Sequence, residues 1–273
     1  MWRDVGHTPQ VRILQVSDTH LAPGRTEHLA NWDAVVEHAR RHPPDLVVNT
    51  GDIALDAPAD PGELDFAAGQ HDRLGVDVAA VPGNHDVGDH WGPDGAPAGQ
   101  SLDASLRQRY RRLFGPEWWC RDLPGFRLVG ANSQLMGSGV DGEHEQWEDL
   151  AAWLSASPVP VVLFVHKPLF LDDPTVAGER FRYLQSPGRE RLLALLDGAP
   201  VALVATGHTH QYRRRKVGGR AYSWAPSTAF VLAAGTQPSF GLRQVGAVEI
   251  TLGPGGVSTA IVRPEGIVDN VLG

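Results

Sequence analysis

The sequence predicts an α/β fold in which two mixed β-sheets face each other with helices outside. A β-α-β-α-β rhythm runs from Val11 to Val81, which argues for parallel strands joined by crossover helices. Apolar runs repeatedly end in short segments of Gly, Asp, Asn and His. After His210 the texture changes to short strands separated by Gly and Pro, read as antiparallel. With 273 residues, 42% of them hydrophobic and 21% charged, the chain can bury a substantial core. No internal repeat or linker is visible, so a single domain over residues 1–273 is expected.

The first strand is Val11 to Val16. A helix follows from about Glu27 to Arg41, with Leu29, Trp32, Val35, Val36 and Ala39 at helical spacing, and Pro43-Pro44 stops it. Asp45 to Asn49 reads as a buried strand, Pro61 to Leu74 as a helix, and Val76 to Val81 as the third strand. The Gly- and Pro-rich stretch Val87 to Gly99 reads as a loop. Leu102 to Leu113 is expected to be helical, Phe126 to Ala131 extended, and Gly142 to Leu154 an acidic helix with Trp147, Leu150 and Leu154 on its apolar face. Strand Val159 to Val165, helix Arg189 to Leu196 and strand Val201 to Ala205 follow. Short strands are then expected at Ala221–Trp224, Ala229–Leu232, Val245–Leu252 and Val257–Val262.

Charge and composition exclude some functions. A net charge of −8 argues against a stable nucleic-acid partner, which needs a cationic surface. Cys120 is the only cysteine, so no intrachain disulfide forms, which fits a reducing compartment. Met1 to His7 has no apolar run of a secretory signal, and Val159 to Val165 is too short to span a bilayer, so a cytoplasmic protein is expected.

Five segments carry metal-ligand chemistry in order: Asp18-Thr19-His20, Gly51-Asp52, Gly83-Asn84-His85-Asp86, His166, and Gly207-His208-Thr209-His210. Each lies at or just beyond the end of an expected strand. In parallel sheets, ligands bind beyond the carboxyl ends of strands, so these segments are expected to share one cleft. Carboxylate, amide and imidazole together suit divalent Mn, Fe or Zn without cysteine. The set is large enough for two ions, a pairing that points to hydrolysis at phosphorus.

The series D-x-H, GD, GNHD, a lone His and GHxH resembles the calcineurin-like metallophosphoesterase family over residues 18 to 210. The resemblance implies a metallo-dependent phosphatase-like fold, a four-layer αββα sandwich. It implies that Asp18, His20 and His210 hold one metal, that Asn84, His166 and His208 hold a second, and that Asp52 bridges both. It further implies in-line displacement at phosphorus by a metal-held hydroxide, with His85 protonating the leaving alkoxide and Asp86 orienting His85. A loop cap is the alternative reading of Asp86.

The run Trp224 to Phe230 contains a Pro-Ser-Thr element that resembles the class III cyclic-nucleotide phosphodiesterase branch, as does His166-Lys167-Pro168-Leu169. That likeness implies a small-molecule phosphodiester substrate, with 3′,5′-cyclic nucleotides or glycerophosphodiesters leading. A phosphomonoesterase, a nuclease and a non-catalytic scaffold on the same fold are the alternatives. Arg180 and Arg182 are read either as a phosphate or base clamp or as solvated side chains. Asp56 is read as a turn residue, and Arg213 to Lys216 as a solvated strand or turn. Cys120 is read as a packing residue, and the Trp-rich stretches as a homodimer surface or internal packing. His7, His28, His38, His42, His71, His90 and His144 match no motif and are expected on the surface, with His90 beside the cleft.

Overall fold

A computed structural model describes residues 10–91, 96, 99–176 and 181–272. His7, Arg180 and part of the expected loop from Val87 to Gly99 lie outside the described residues. Strand β1 (Val11–Val16), helix α1 (Thr26–Arg41), β2 (Leu46–Asn49), α2 (Gly62–Asp72) and β3 (Val78–Ala80) reproduce the expected rhythm. Then come α3 (Asn84–Val87), α4 (Ala104–Phe114), β4 (Trp119–Leu123), β5 (Phe126–Ala131), α5 (Glu143–Ser155), β6 (Val161–Val165), α6 (Gly188–Asp197) and β7 (Val201–Thr206). The chain closes with β8 (Arg213–Val217), β9 (Arg220–Trp224), β10 (Val231–Leu232), β11 (Ala247–Gly253), β12 (Gly256–Val262) and β13 (Val271–Leu272).

One sheet has the order β12-β11-β1-β2-β3 and the other β4-β5-β6-β7-β9-β8. Strands β1, β2 and β3 are parallel, with Ile13 opposite Leu46 and Val47 opposite Val78. Strands β5, β6, β7 and β9 are also parallel; antiparallel strands close both edges of their sheet and the β12 edge of the other, whose far edge is the parallel strand β3.

Strand alternation sorts side chains into three cores. Ile13, Val48, Val162, Phe164 and Ile250 point into the space between the sheets. Their neighbours Leu14 and Val47 face α1 and α2, packed with Trp32, Val35 and Leu64. On the far side Val161, Leu163 and Val165 meet Trp147, Leu150 and Leu192 from α5 and α6. Both faces of each central strand are therefore covered, which explains their unbroken apolar runs. The four layers are helix, sheet, sheet, helix.

Local signals explain the boundaries. The α1 helix ends where the His42 amide donates to the His38 carbonyl, just before Pro43-Pro44. Asp103 caps α4, its side chain accepting from the Ser105 and Leu106 amides.

Some expectations are corrected. Ala221–Trp224 is antiparallel only to β8; towards the sheet it runs parallel to β7. The β8–β9 turn is Gly218-Gly219, both at positive φ, which suits a tight hairpin. Of Ala229–Leu232, only Val231 and Leu232 are extended, and they pair in parallel with β13. Residues 84–87 form one helical turn instead of leading straight into loop. Strand β4, which holds the partly buried Cys120, was not expected at all. His28 and His71 are buried, against expectation. His71 Nδ1 lies 2.8 Å from the Ala67 carbonyl and Nε2 lies 2.9 Å from Asn49 Nδ2, and burial pushes its pKa down to about 4. Among the described residues, no helix is long and apolar enough to cross a membrane.

Candidate metal centre

All five segments sit past the carboxyl ends of parallel strands, three from one sheet (β1, β2, β3) and two from the other (β6, β7). The chain turns sharply as it leaves each sheet. Among the described residues, the non-glycine positions at positive φ are Asp18, His20, Asp52, His208 and His210, and every one belongs to these segments. A left-handed conformation costs a non-glycine residue about 1–3 kcal/mol and persists only where surroundings enforce it. Here the Asp18 amide donates to the Gly51 carbonyl at 2.9 Å and the His20 amide to the Asp52 carbonyl at 3.0 Å. The His208 amide donates to Asp18 Oδ2 at 2.9 Å.

Two glycines of the motifs are explained by approach distance. A Cβ on Gly207 would stand 1.8 Å from Ser17 Oγ, and one on Gly83 would stand 2.2 Å from Asp52 Oδ1. Only a hydrogen fits at either place.

The segments converge as two groups, Asp18 with His20 and His210, and Asp52 with His166 and His208. In the first, His210 Nε2 lies 3.2 Å from both Asp18 Oδ1 and His20 Nε2. Asp18 Oδ2 is already occupied by Ser17 Oγ at 2.6 Å and the His208 amide, whereas buried Oδ1 has no hydrogen-bond donor. In the second, His166 Nε2 lies 3.0 Å from His208 Nδ1, 3.2 Å from Asn84 Oδ1 and 3.3 Å from Asp52 Oδ2.

The outer nitrogens of the second group fix its chemistry. His166 Nδ1 meets the Thr50 carbonyl at 2.7 Å, and His208 Nε2 meets the Phe181 carbonyl at 2.5 Å. A carbonyl only accepts, so each outer nitrogen carries a proton, and each ring when neutral presents a lone pair from its inner nitrogen. Asn84 Oδ1 and Asp52 Oδ2 add further lone pairs to the same point. Buried acceptors converging without a donor suit a divalent cation.

The electrostatics show the same need for positive charge, met here by a proton on His166. Burial works to lower the His166 pKa, but the adjacent Asp52 carboxylate overrides it and carries it up to about 9. Burial and the charges of His166 and Lys167 push His208 down to about 3. Burial opposes ionisation of Asp18, yet His210 holds it down at about 2. The set is built to face positive charge.

His85 stands apart from both groups. Its ring packs edge-on against His20 at 4.9 Å, and with Asn84 it lines a cleft of about 380 Å³ that Asp56, Asp89 and Gln100 also border. Its Nδ1 lies 2.6 Å from the Leu55 carbonyl. Burial works against the charged ring, but Asp52 and that carbonyl raise its pKa above the ordinary value.

Asp86 does not orient His85 by contact. Its Oδ1 accepts from the Ile53 and Ala54 amides at 2.9 Å each, and its Oδ2 from the Gly83 amide at 2.8 Å. Consecutive residues of a helical turn point in different directions, so Asp86 braces the Asp52 and Gly83 loops while Leu55 orients the imidazole. Burial, then repulsion from Asp52, pushes the Asp86 pKa up to about 7. Of the two readings in the sequence, the loop cap fits.

Several contributors lie outside the two groups. Phe230 packs on His20, His210 and His28 with ring centroids 5.0, 4.7 and 5.2 Å away. Ser227 of the Pro-Ser-Thr element donates to the Asp18 carbonyl at 2.7 Å, and the Thr228 amide donates to the Ser17 carbonyl at 3.0 Å, so that element braces the first loop. His28 Nδ1 meets the His20 carbonyl at 2.8 Å. Lys167 forms a buried ion pair with Asp89. Arg182 contacts Gln237 Oε1 and the Thr236 carbonyl and lies over the Phe181 ring.

Comparison with known proteins agrees with this geometry. The chain is 34% identical to the 3′,5′-cyclic adenosine monophosphate phosphodiesterase CpdA of Escherichia coli K12, over 80% of this chain and 76% of that protein. It is 24% identical to a probable cyclic nucleotide phosphodiesterase of Psychrobacter arcticus, over 81% of each. Among solved structures, purple acid phosphatase PPD1 from yellow lupin seeds has the same fold, with a TM-score of 0.68 at 16% identity over 96% of this chain and 53% of that one. Residues 11–212 match the calcineurin-like phosphoesterase family, and this chain belongs to it as a metal-dependent phosphoric ester hydrolase.

Proposed function

We propose that this protein hydrolyses phosphodiesters of small molecules, with 3′,5′-cyclic nucleotides the leading substrates. On this reading Asp18, His20 and His210 would hold one divalent ion, Asn84, His166 and His208 would hold the other, and Asp52 would serve both. Two such ions supply a nucleophile at neutral pH and neutralise charge building on the phosphoryl oxygens.

The remaining work falls to the chain's own residues. With cations displacing the His166 proton, neutral imidazoles and one amide would leave the centre electrophilic, because only Asp18 and Asp52 bring negative charge to it. The Leu55 carbonyl fixes the His85 proton on Nδ1 when the ring is neutral, so Nε2 is the atom that gains and gives a proton. A proton on Nε2 of the charged ring would be the one given to a leaving alkoxide. The adjoining cleft, about 380 Å³, is of ligand-pocket size.

The preference for diesters rests on one observation, the similarity to the Escherichia coli phosphodiesterase across most of both chains. The test compares bis(p-nitrophenyl) phosphate, cyclic AMP, a glycerophosphodiester and p-nitrophenyl phosphate, with Mn, Fe, Co or Zn supplied. Diesters are expected to be turned over fastest. A clear preference for the monoester would overturn the diesterase reading, and no turnover with any ion would overturn two-metal hydrolysis here.

A further inference from the structure

Phe181 is unexplained by packing. Among the described residues it is the one aromatic in the set of exposed large apolar side chains, with 42% of its surface accessible. Yet its backbone carbonyl is fixed to His208 at 2.5 Å, which places this residue at the second ligand group. The Trp91 ring lies 6.0 Å from it at 45°, so the two form an open aromatic wedge. Arg182 stacks its guanidinium 4.4 Å from the Phe181 centroid.

The wedge is anchored on both sides. Trp91 Nε1 donates to Asp89 Oδ2 at 2.6 Å, and Asp89 borders the cleft that holds His85 and Asn84. The other oxygen of Asp89 receives the Lys167 ammonium, which is 1% exposed and follows His166 in sequence. A buried lysine–aspartate pair is expensive to form and specifies geometry more than it stabilises. Here it holds Trp91 at a fixed distance from the ligand groups.

We propose that Trp91 and Phe181 form the subsite for a flat aromatic group carried by the phosphate ester. Asp89 and Lys167 act as positioning residues for it. This rests on the diesterase reading and deepens it, since it selects nucleobase or aryl esters over aliphatic ones. Stacking on an aromatic side chain is sequence-tolerant, so the rings distinguish aromatic from aliphatic without choosing among bases.

The test measures kcat/KM for cyclic AMP, bis(p-nitrophenyl) phosphate and glycerophosphoethanolamine in the metal-loaded protein. The variants are Phe181→Ala, Trp91→Ala, the conservative Phe181→Tyr, and Val268→Ala as an exposed control outside the wedge. Phe181→Ala and Trp91→Ala are expected to lower the aromatic-to-aliphatic ratio by about tenfold, chiefly through KM, as loss of one stacking partner predicts. Phe181→Tyr and Val268→Ala are expected to preserve the ratio. A fall for cyclic AMP alone assigns the wedge to nucleobases, and a fall for both aromatic esters assigns it to flat rings in general. An equal change for all three esters, with or without loss of metal, would overturn the subsite.

Binding provides a separate arm. Adenosine monophosphate and methyl phosphate are titrated calorimetrically into wild type and Phe181→Ala. Failure of wild type to hydrolyse any diester would sink the diesterase reading alone. The subsite would still stand if wild type bound adenosine monophosphate about tenfold tighter than methyl phosphate and the variant did not. Equal affinities in wild type would remove it.

Discussion

The two ligand groups use the same side-chain types but are held in different ways. In the second, the far nitrogens of His166 and His208 meet backbone carbonyls, so ring orientation and proton position are both fixed. In the first, buried Nδ1 atoms of His20 and His210 have no hydrogen-bond partner, and both rings lean on Phe230 instead. Hydrogen bonding sets direction and raises imidazole basicity, whereas an aromatic wall sets position only. The second group is therefore preorganised by the fold. The first depends more on packing, and on Asp18 being aimed by Ser17 and the His208 amide.

The strongest test removes a ligand from the preorganised group. His166→Ala is expected to cut bound metal from two ions to one per chain by elemental analysis, and to reduce turnover by about a thousandfold, since a second ion contributes several kcal/mol to the transition state. Retention of both ions would show that His166 is not a ligand. His85→Ala should keep both ions and lower kcat by about a hundredfold or more, the usual range for a lost general acid. Metal loss in that variant would merge His85 with the two groups and erase its separation from them.

Phe230 tests the other half of the comparison. Phe230→Leu leaves the wall apolar but removes the ring against which His20 and His210 lie. The expected outcome is a fall of about tenfold or more in affinity for one ion, measured by competition with a chelator, while the other is unchanged. If both ions weaken together, the two groups act as one unit and the difference in their support has no energetic meaning.

The convergence of the five segments was legible because each sits at the end of an apolar run, a local pattern that fixes strand, direction and edge together. The layers were legible for the same reason. Strand β4 was not, because its residues alternate poorly between buried and exposed, and it forms only by pairing with β5 at a sheet edge. The parallel pairing of β9 with β7 is also non-local, and the hairpin signal at Gly218-Gly219 reports only the antiparallel neighbour. Asp86 appeared to be the partner of His85 because it is next in sequence. Its hydrogen bonds to the Ile53, Ala54 and Gly83 amides emerge only once residues 84–87 are known to turn. The carbonyls of Leu55, Thr50 and Phe181 carry no letter of their own, so no motif could reveal them. Phe230 touches residues 20, 28 and 210, contacts that only the folded chain brings together.

His71 sharpens the comparison from outside the centre. It is as buried as the site histidines, but Ala67 and Asn49 satisfy both of its nitrogens, so it needs no cation. Its folded pKa of about 4 lies below the ordinary 6.5, because burial penalises the charged ring. The unfolded chain therefore binds a proton that the folded chain refuses. Stability from this residue is complete above about pH 6.5 and falls as the pH drops towards 4. Between pH 7 and 5.5 the expected loss is about 1 kcal/mol. Urea denaturation of wild type and His71→Gln at both pH values isolates it, since the site histidines contribute equally to each protein and cancel in the difference. The variant should lose about 1 kcal/mol less than wild type over that interval. An identical loss in both would mean that His71 takes up its proton without unfolding, and that the division between satisfied and cation-seeking histidines is not written in their hydrogen bonds.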